Sequence, residues 1–229
     1  MANIIWCEDS GSGYKFWKAL FMAIHPDIAV VSQKGNSRLS KAVEQIKDDD
    51  NLYYIIIDTA IDNPDVLREL SRLKKSILGK NNIRLIKIHS FEFALLSFEY
   101  LDQWVFAEND NLRDKRQALL EARIKFVKLM NHGGDPDELN EFKSVYNYQG
   151  NTNTEKISAK LPFEITKNTG FSTDKSQIGP CFTQSCCEWG DRQEDDICGL
   201  DEHRLELQMK MKQIIEYSVL KESLKEVGL

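Results

Sequence analysis

The chain has 229 residues, of which 41% are hydrophobic and 29% charged, and its formal charge is −6 at pH 7. This length accommodates one substantial domain plus an elaboration, with the composition of an ordinary soluble globular protein. The acidic balance excludes a generally basic nucleic-acid coat, but leaves room for a local basic surface or an acidic metal-binding cleft. No apolar run is long enough to span a bilayer, and MANIIWCEDS lacks a basic region followed by an apolar core. A cytoplasmic protein with no membrane partner is expected.

Ile4–Cys7 reads as a strand, with Cys7 a small core residue. Gly13–Ile24 carries apolar residues at helical spacing (Phe16, Trp17, Leu20, Phe21, Ile24), and Ile28–Val31 is a second strand. Lys34–Arg38 makes a polar turn before a helix over Leu39–Ile46. YYIIID, Tyr53–Asp58, is the strongest strand. Pro64 then suits the first turn of a helix running to Gly79, and Ile83–Ile88 is the fourth strand. Continuous β-branched runs alternating with helices predict a parallel central sheet flanked by helices over residues 1–90.

From Phe91 the pattern turns helical. FEFALLSFEYLDQWVF, Asp114–Met130 and Glu138–Tyr148 form an α-helical extension over 91–146. Residues 147–180 are a variable region in which NYQGNTNTEK reads as a loop. The Cys-rich segment 181–229 closes with a helix over roughly Asp201–Lys225.

In such sheets ligands bind beyond the carboxyl ends of the strands. Glu8 and Asp9 fall at the end of the first strand and Asp58 at the end of the third, with Asp62 in the following loop. Ser10, Gly11 and Gly13 would let the backbone approach a phosphate at the start of the next helix. Asp9 or Ser10 can also cap that helix.

CEDSGSGYKFWKAL and IIIDTAID resemble the two acidic motifs of the Toprim domain, found in topoisomerases, primases, RNA-maturation nucleases and the OLD-type nucleases of phage defence. The resemblance covers residues up to about 90. It implies a metal-dependent nuclease cutting DNA or RNA, tRNA included, with Mg²⁺ or Mn²⁺ as cofactor, serving as a phage-defence effector under an ATPase or other regulatory partner. Glu8 would be metal ligand or general acid/base, with Asp58 and Asp62 as metal ligands. The middle acidic position of the second motif is Ala60, a departure that raises the alternative of an inactive interaction subunit. HSFEFALLSFEYL is similar to a helix that follows the fourth strand in several Toprim-like defence proteins. On that likeness Glu92 is an auxiliary acid; by its position alone it is a helix N-terminal charge.

The same acids fit a second family. A response-regulator receiver also has paired acids after strand one, a phosphorylatable Asp after strand three and a hydroxyl after strand four, here Ser90. It further requires a Lys at the end of a fifth parallel strand.

Two other constellations stand out. Arg68, Arg72, Lys74, Lys75, Lys80, Arg84 and Lys87 form one basic tract, and Arg113, Lys115, Arg116, Arg123, Lys125 and Lys128 another. Either is a phosphate-backbone path or a solvated face. Cys181, Cys186, Cys187, Cys198 and His203 offer soft ligands for a structural zinc, or free thiols packing beside Trp189.

Overall fold

Four runs rich in β-branched and aromatic side chains become strands: β1 (Asn3–Cys7), β2 (Ala29–Ser32), β3 (Leu52–Asp58) and β4 (Ile83–Ile88). They form one sheet, all parallel, in the order β2-β1-β3-β4. A computed structural model describes residues 2–47, 49–108, 110–148, 152–187, 198–201 and 203–229. The predicted α/β class with a parallel, helix-flanked sheet is correct, and β4 has the predicted bounds.

Period-two alternation splits β3 between two cores. Tyr54 and Ile56 face one side with Ile5, Cys7, Ile86 and Ile88; Tyr53, Ile55 and Ile57 face the other. On the second side lie α2 (Asn36–Glu44) and α3 (Pro64–Ser76), through Leu39, Val43 and Leu73. The first side carries everything else: α1 (Ser12–Ile24), α4 (Phe91–Ser97), α5 (Leu101–Val105), α6 (Asn111–Lys115), α7 (Gln117–Asn131), α8 (Pro136–Val145), α9 (Thr154–Thr166), α10 (Pro180–Thr183), α11 (Leu207–Glu216) and α12 (Leu220–Lys225). Residues from the sheet, the helical extension and the C-terminal helices share this one core. β4 is an edge strand, and α12 packs beside it, with Ser223 Oγ donating to the Lys87 carbonyl at 3.1 Å.

Three predicted helices are broken, each at a residue that hydrogen-bonds another segment. FEFALLSFEYLDQWVF divides into α4 and α5 because Phe98 turns extended and gives its carbonyl to Arg123. Asp114–Met130 divides at Arg116, whose guanidinium reaches the carbonyls of Ile165 and Lys167. The last helix starts at Leu207, not Asp201, and stops at Tyr217, whose carbonyl accepts from Glu99 N while Val219 N donates to Ser97 Oγ at 3.1 Å. A further correction falls in NYQGNTNTEK: its end is helical. Asn153 caps α9 by accepting from Lys156 N at 2.9 Å, and Ile157, Leu161 and Ile165 bury one face.

No helix among the described residues is long and apolar enough to cross a membrane.

Candidate active site

β1 lies between β2 and β3, so the chain leaves β1 and β3 toward opposite neighbours. That reversal opens a crevice beyond their carboxyl ends. Pairing of Cys7 with Ile56 brings Glu8 and Asp9 alongside Asp58. The β2–α2 turn closes one wall: Gly35 N donates to the Glu8 carbonyl at 2.7 Å, and Lys34 takes a left-handed φ of 58° beside it. The resulting cleft, about 310 Å³, is lined by Glu8, Asp9, Asp58, Glu92 and Glu155, with Lys34, Lys156 and Lys175 also in its walls.

Two of the glycines have a packing reason. A Cβ on Gly13 would lie 2.3 Å from Asp9 Oδ1, and one on Gly11 2.4 Å from the Lys175 carbonyl oxygen. Asp9 is therefore seated over the first turn of α1, where its Oδ2 accepts from Trp17 Nε1 at 2.9 Å. It does not cap the helix, and neither does Ser10. The N-cap is Gly11, with no side-chain hydrogen bond. Ser10, Gly11, Ser12 and Gly13 all line the cleft, so the uncapped N-terminus of α1 opens onto it.

The acids are crowded. Burial raises Glu8 to about 8, helped by the charge of Asp9. Burial raises Asp58 too, with the charges of Glu8, Asp9 and Glu92 adding to it. A side-chain hydrogen bond between the two lowers Glu8 and raises Asp58. Asp9 is raised by burial against the opposing Trp17 hydrogen bond, and burial lifts Glu92 to about 7. None of these four carboxylates forms an ion pair among the described residues. Glu92 stands in the first turn of α4, which Ser90 caps by accepting from Phe93 N at 3.1 Å, so the hydroxyl considered for a receiver is spent on the helix.

Asp62 lies elsewhere. Its carboxylate accepts from Thr154 N at 3.0 Å and Thr154 Oγ1 at 2.7 Å, and pairs with Lys143 at 3.3 Å. Burial alone would raise it, but these partners hold it below the usual carboxylate range. Ala60 is fully buried, so the middle motif position points into the core and not into the cleft. Glu155 is the acid that sequence reasoning missed. Its signal was present in Asn153-Thr154-Glu155, a cap followed by apolar residues at helical spacing.

Several residues of the basic tracts have partners within the chain. Arg116 and Arg123 are buried and bond carbonyls; Arg68, Arg72 and Arg113 pair with Asp65, Glu44 and Asp102; Lys80 reaches the carbonyls of Val43 and Glu44. Of the zinc candidates, Cys198 is buried, Cys181, Cys186 and Cys187 are half-buried, and His203 is exposed; all four cysteines are thiols. Residues 188–197, including Trp189, lie outside the described residues.

As donors, the cleft carboxylates are the hard oxygens that Mg²⁺ or Mn²⁺ takes, and burial, with the charges of neighbouring acids, raises their affinity for protons. They fit a divalent cation in kind. Among the described residues no three His, Cys, Asp or Glu side chains are already arranged around one metal position.

The folded protein binds protons at Glu8 and Glu92 more tightly than the unfolded chain, so their contribution is complete below about pH 4.5 and is lost as pH rises toward 8. His89, lowered by burial, acts oppositely: its contribution is lost as pH falls below 6.5. Between pH 6.5 and 8 only the carboxylates slope, and urea denaturation in chelator should show stability falling by about 1–3 kcal/mol. Glu8→Gln should flatten that decline.

No family model, curated protein or solved structure matches the chain.

Proposed function

We propose that the protein is a divalent-metal-dependent phosphodiesterase of the Toprim type acting on nucleic acid. The observation that carries this reading is the meeting of Glu8 and Asp58, from β1 and β3, in one cleft with Asp9, Glu92 and Glu155. Bound Mg²⁺ or Mn²⁺ would offset phosphodiester charge and lower the pKa of a bound water. The chain's own contributions are distinct. Glu8, with a pKa near 8, can exchange a proton near neutral pH. The uncapped first turn of α1 presents backbone N–H groups to a phosphate oxygen. Lys34, Lys156 and Lys175 set positive charge around the acids, as an anionic polymer requires.

The choice of nucleic acid rests on an adjoining groove of about 250 Å³. It shares Glu92, Lys156, Ala159 and Lys175 with the cleft and adds Lys160 and Phe163. An exposed aromatic ring beside lysines is a stacking platform for an unpaired base.

The receiver alternative loses its defining residue. The sheet of the described residues has four strands, and after β4 the chain enters α4, leaving no strand end for the receiver's Lys. Incubation of the protein with single- and double-stranded DNA and RNA, in Mg²⁺, Mn²⁺ or chelator, tests the proposal. Cleavage in metal alone is expected; none with any substrate would refute it.

A further inference from the structure

The second acidic motif ends in Asp62, yet Asp62 does not line the cleft. Three contacts show what it holds. Thr154 N and Oγ1 both donate to its carboxylate, at 3.0 and 2.7 Å, and Lys143 Nζ lies 3.3 Å away. Thr154 is itself fully buried and is the first residue of α9. The next residue along, Asn63, donates from Nδ2 to Glu155 Oε2 at 2.8 Å. His89, buried just after β4, has the Thr154 backbone acting on its imidazole. The β3–α3 loop thus grips the opening turn of a helix some ninety residues later in the chain. The two residues after Thr154, Glu155 and Lys156, line the cleft.

We infer that Asp62 is a positioning residue, which fastens the first turn of α9 so that Glu155 supplies the cleft carboxylate that Asp62 itself does not. The inference rests on the metal-dependent reading of the cleft. A ligand role would require Asp62 to give up two hydrogen bonds and an ion pair. Such half-buried, fully partnered carboxylates resist that exchange. Glu155 has the better claim. Its charge acts on both Glu8 and Glu92, and it lines the same cleft. Its single hydrogen bond to Asn63 fixes one oxygen and orients the carboxylate.

Mn²⁺ binding to the purified chain, without nucleic acid, separates the two roles, with hydrogen exchange of the 154–158 amides measured alongside. In Asp62→Asn the amide oxygen still accepts from Thr154, so Mn²⁺ affinity should fall by less than about threefold, whereas loss of a ligand costs about tenfold or more. Glu155→Gln should lose about tenfold or more in affinity with exchange of α9 unchanged. Asp62→Ala should lose protection over 154–158, and the double variant Asp62→Ala/Glu155→Gln should bind no more weakly than Glu155→Gln alone. Tenfold loss in Asp62→Asn, or additive losses in the double variant, would overturn the inference. If the wild type binds no Mn²⁺, the metal reading fails and the Glu155 role with it. The positioning of α9 is then decided by exchange in Asp62→Ala: loss of protection supports it and unchanged protection overturns it.

Discussion

Glu8→Gln is expected to reduce metal-dependent cleavage by about 10²–10⁴-fold, the range for removing a positioned acid or base. The variant keeps the shape of the side chain and can still accept from the Asp58 N–H, which bonds Glu8 in the wild type. It cannot ionise or exchange a proton. Because the Glu8 carboxyl is largely protonated at pH 7 in the metal-free protein, the neutral amide should leave the fold intact. Circular dichroism at pH 7 should therefore match the wild type, and urea denaturation should show a variant at least as stable, while activity is lost. That combination separates a chemical role from a structural one. Identical cleavage traces for the two proteins would remove the nuclease proposal.

The largest stability effect is expected at Arg123→Met, a loss of about 2–5 kcal/mol by urea denaturation. Arg123 is 7% exposed, and its Nε donates to the Leu96 carbonyl at 2.7 Å while a second nitrogen serves the Phe98 carbonyl. These are the unpaired carbonyls at the C-terminal end of α4, where a cation also meets the helix dipole. Methionine fills the stem's volume and leaves both acceptors buried without donors. Arg116 does the same at the far end of α9, through Ile165 and Lys167. The helices that bring Glu92 and Glu155 to the cleft are thus both held at their opposite ends by arginines of one segment. Lys128→Met, on an exposed part of α7, should stay within about 0.5 kcal/mol of wild type. A change under about 1 kcal/mol for Arg123→Met would show that the clamp is not needed.

These arginines mark where sequence reading stopped. Arg116 and Arg123 lie in a run that reads as a basic helix face, because their acceptors come from α4 and from the end of α9, distant in sequence. Spacing within one helix cannot reveal a partner some fifty residues away. The same holds for Asp62: its place in DTAID looks like a motif position, and only folding brings Thr154 against it. What was legible was local or strictly periodic. The strands announced themselves as continuous apolar runs, and the parallel order placed Glu8 and Asp58 at one sheet edge. The glycines after Asp9 were legible as special, but their reason was not. Gly13 makes room for the Asp9 carboxylate, and Gly11 for the Lys175 carbonyl, neither of which a sequence displays. α9 was obscured because it carries Pro162 in its interior and its cap sits in a polar stretch.

The central claim is that the acidic cleft exchanges its protons for a divalent cation. Calorimetric titration of Mn²⁺ into the chain at pH 7, in two buffers of different ionisation enthalpy, measures that exchange directly. Because Glu8 and Asp58 both hold protons more tightly than ordinary carboxylates, binding should release about one proton or more, and Glu8→Gln should weaken binding and reduce the release. Absence of binding at millimolar Mn²⁺, or binding without proton release that Glu8→Gln leaves untouched, would contradict it.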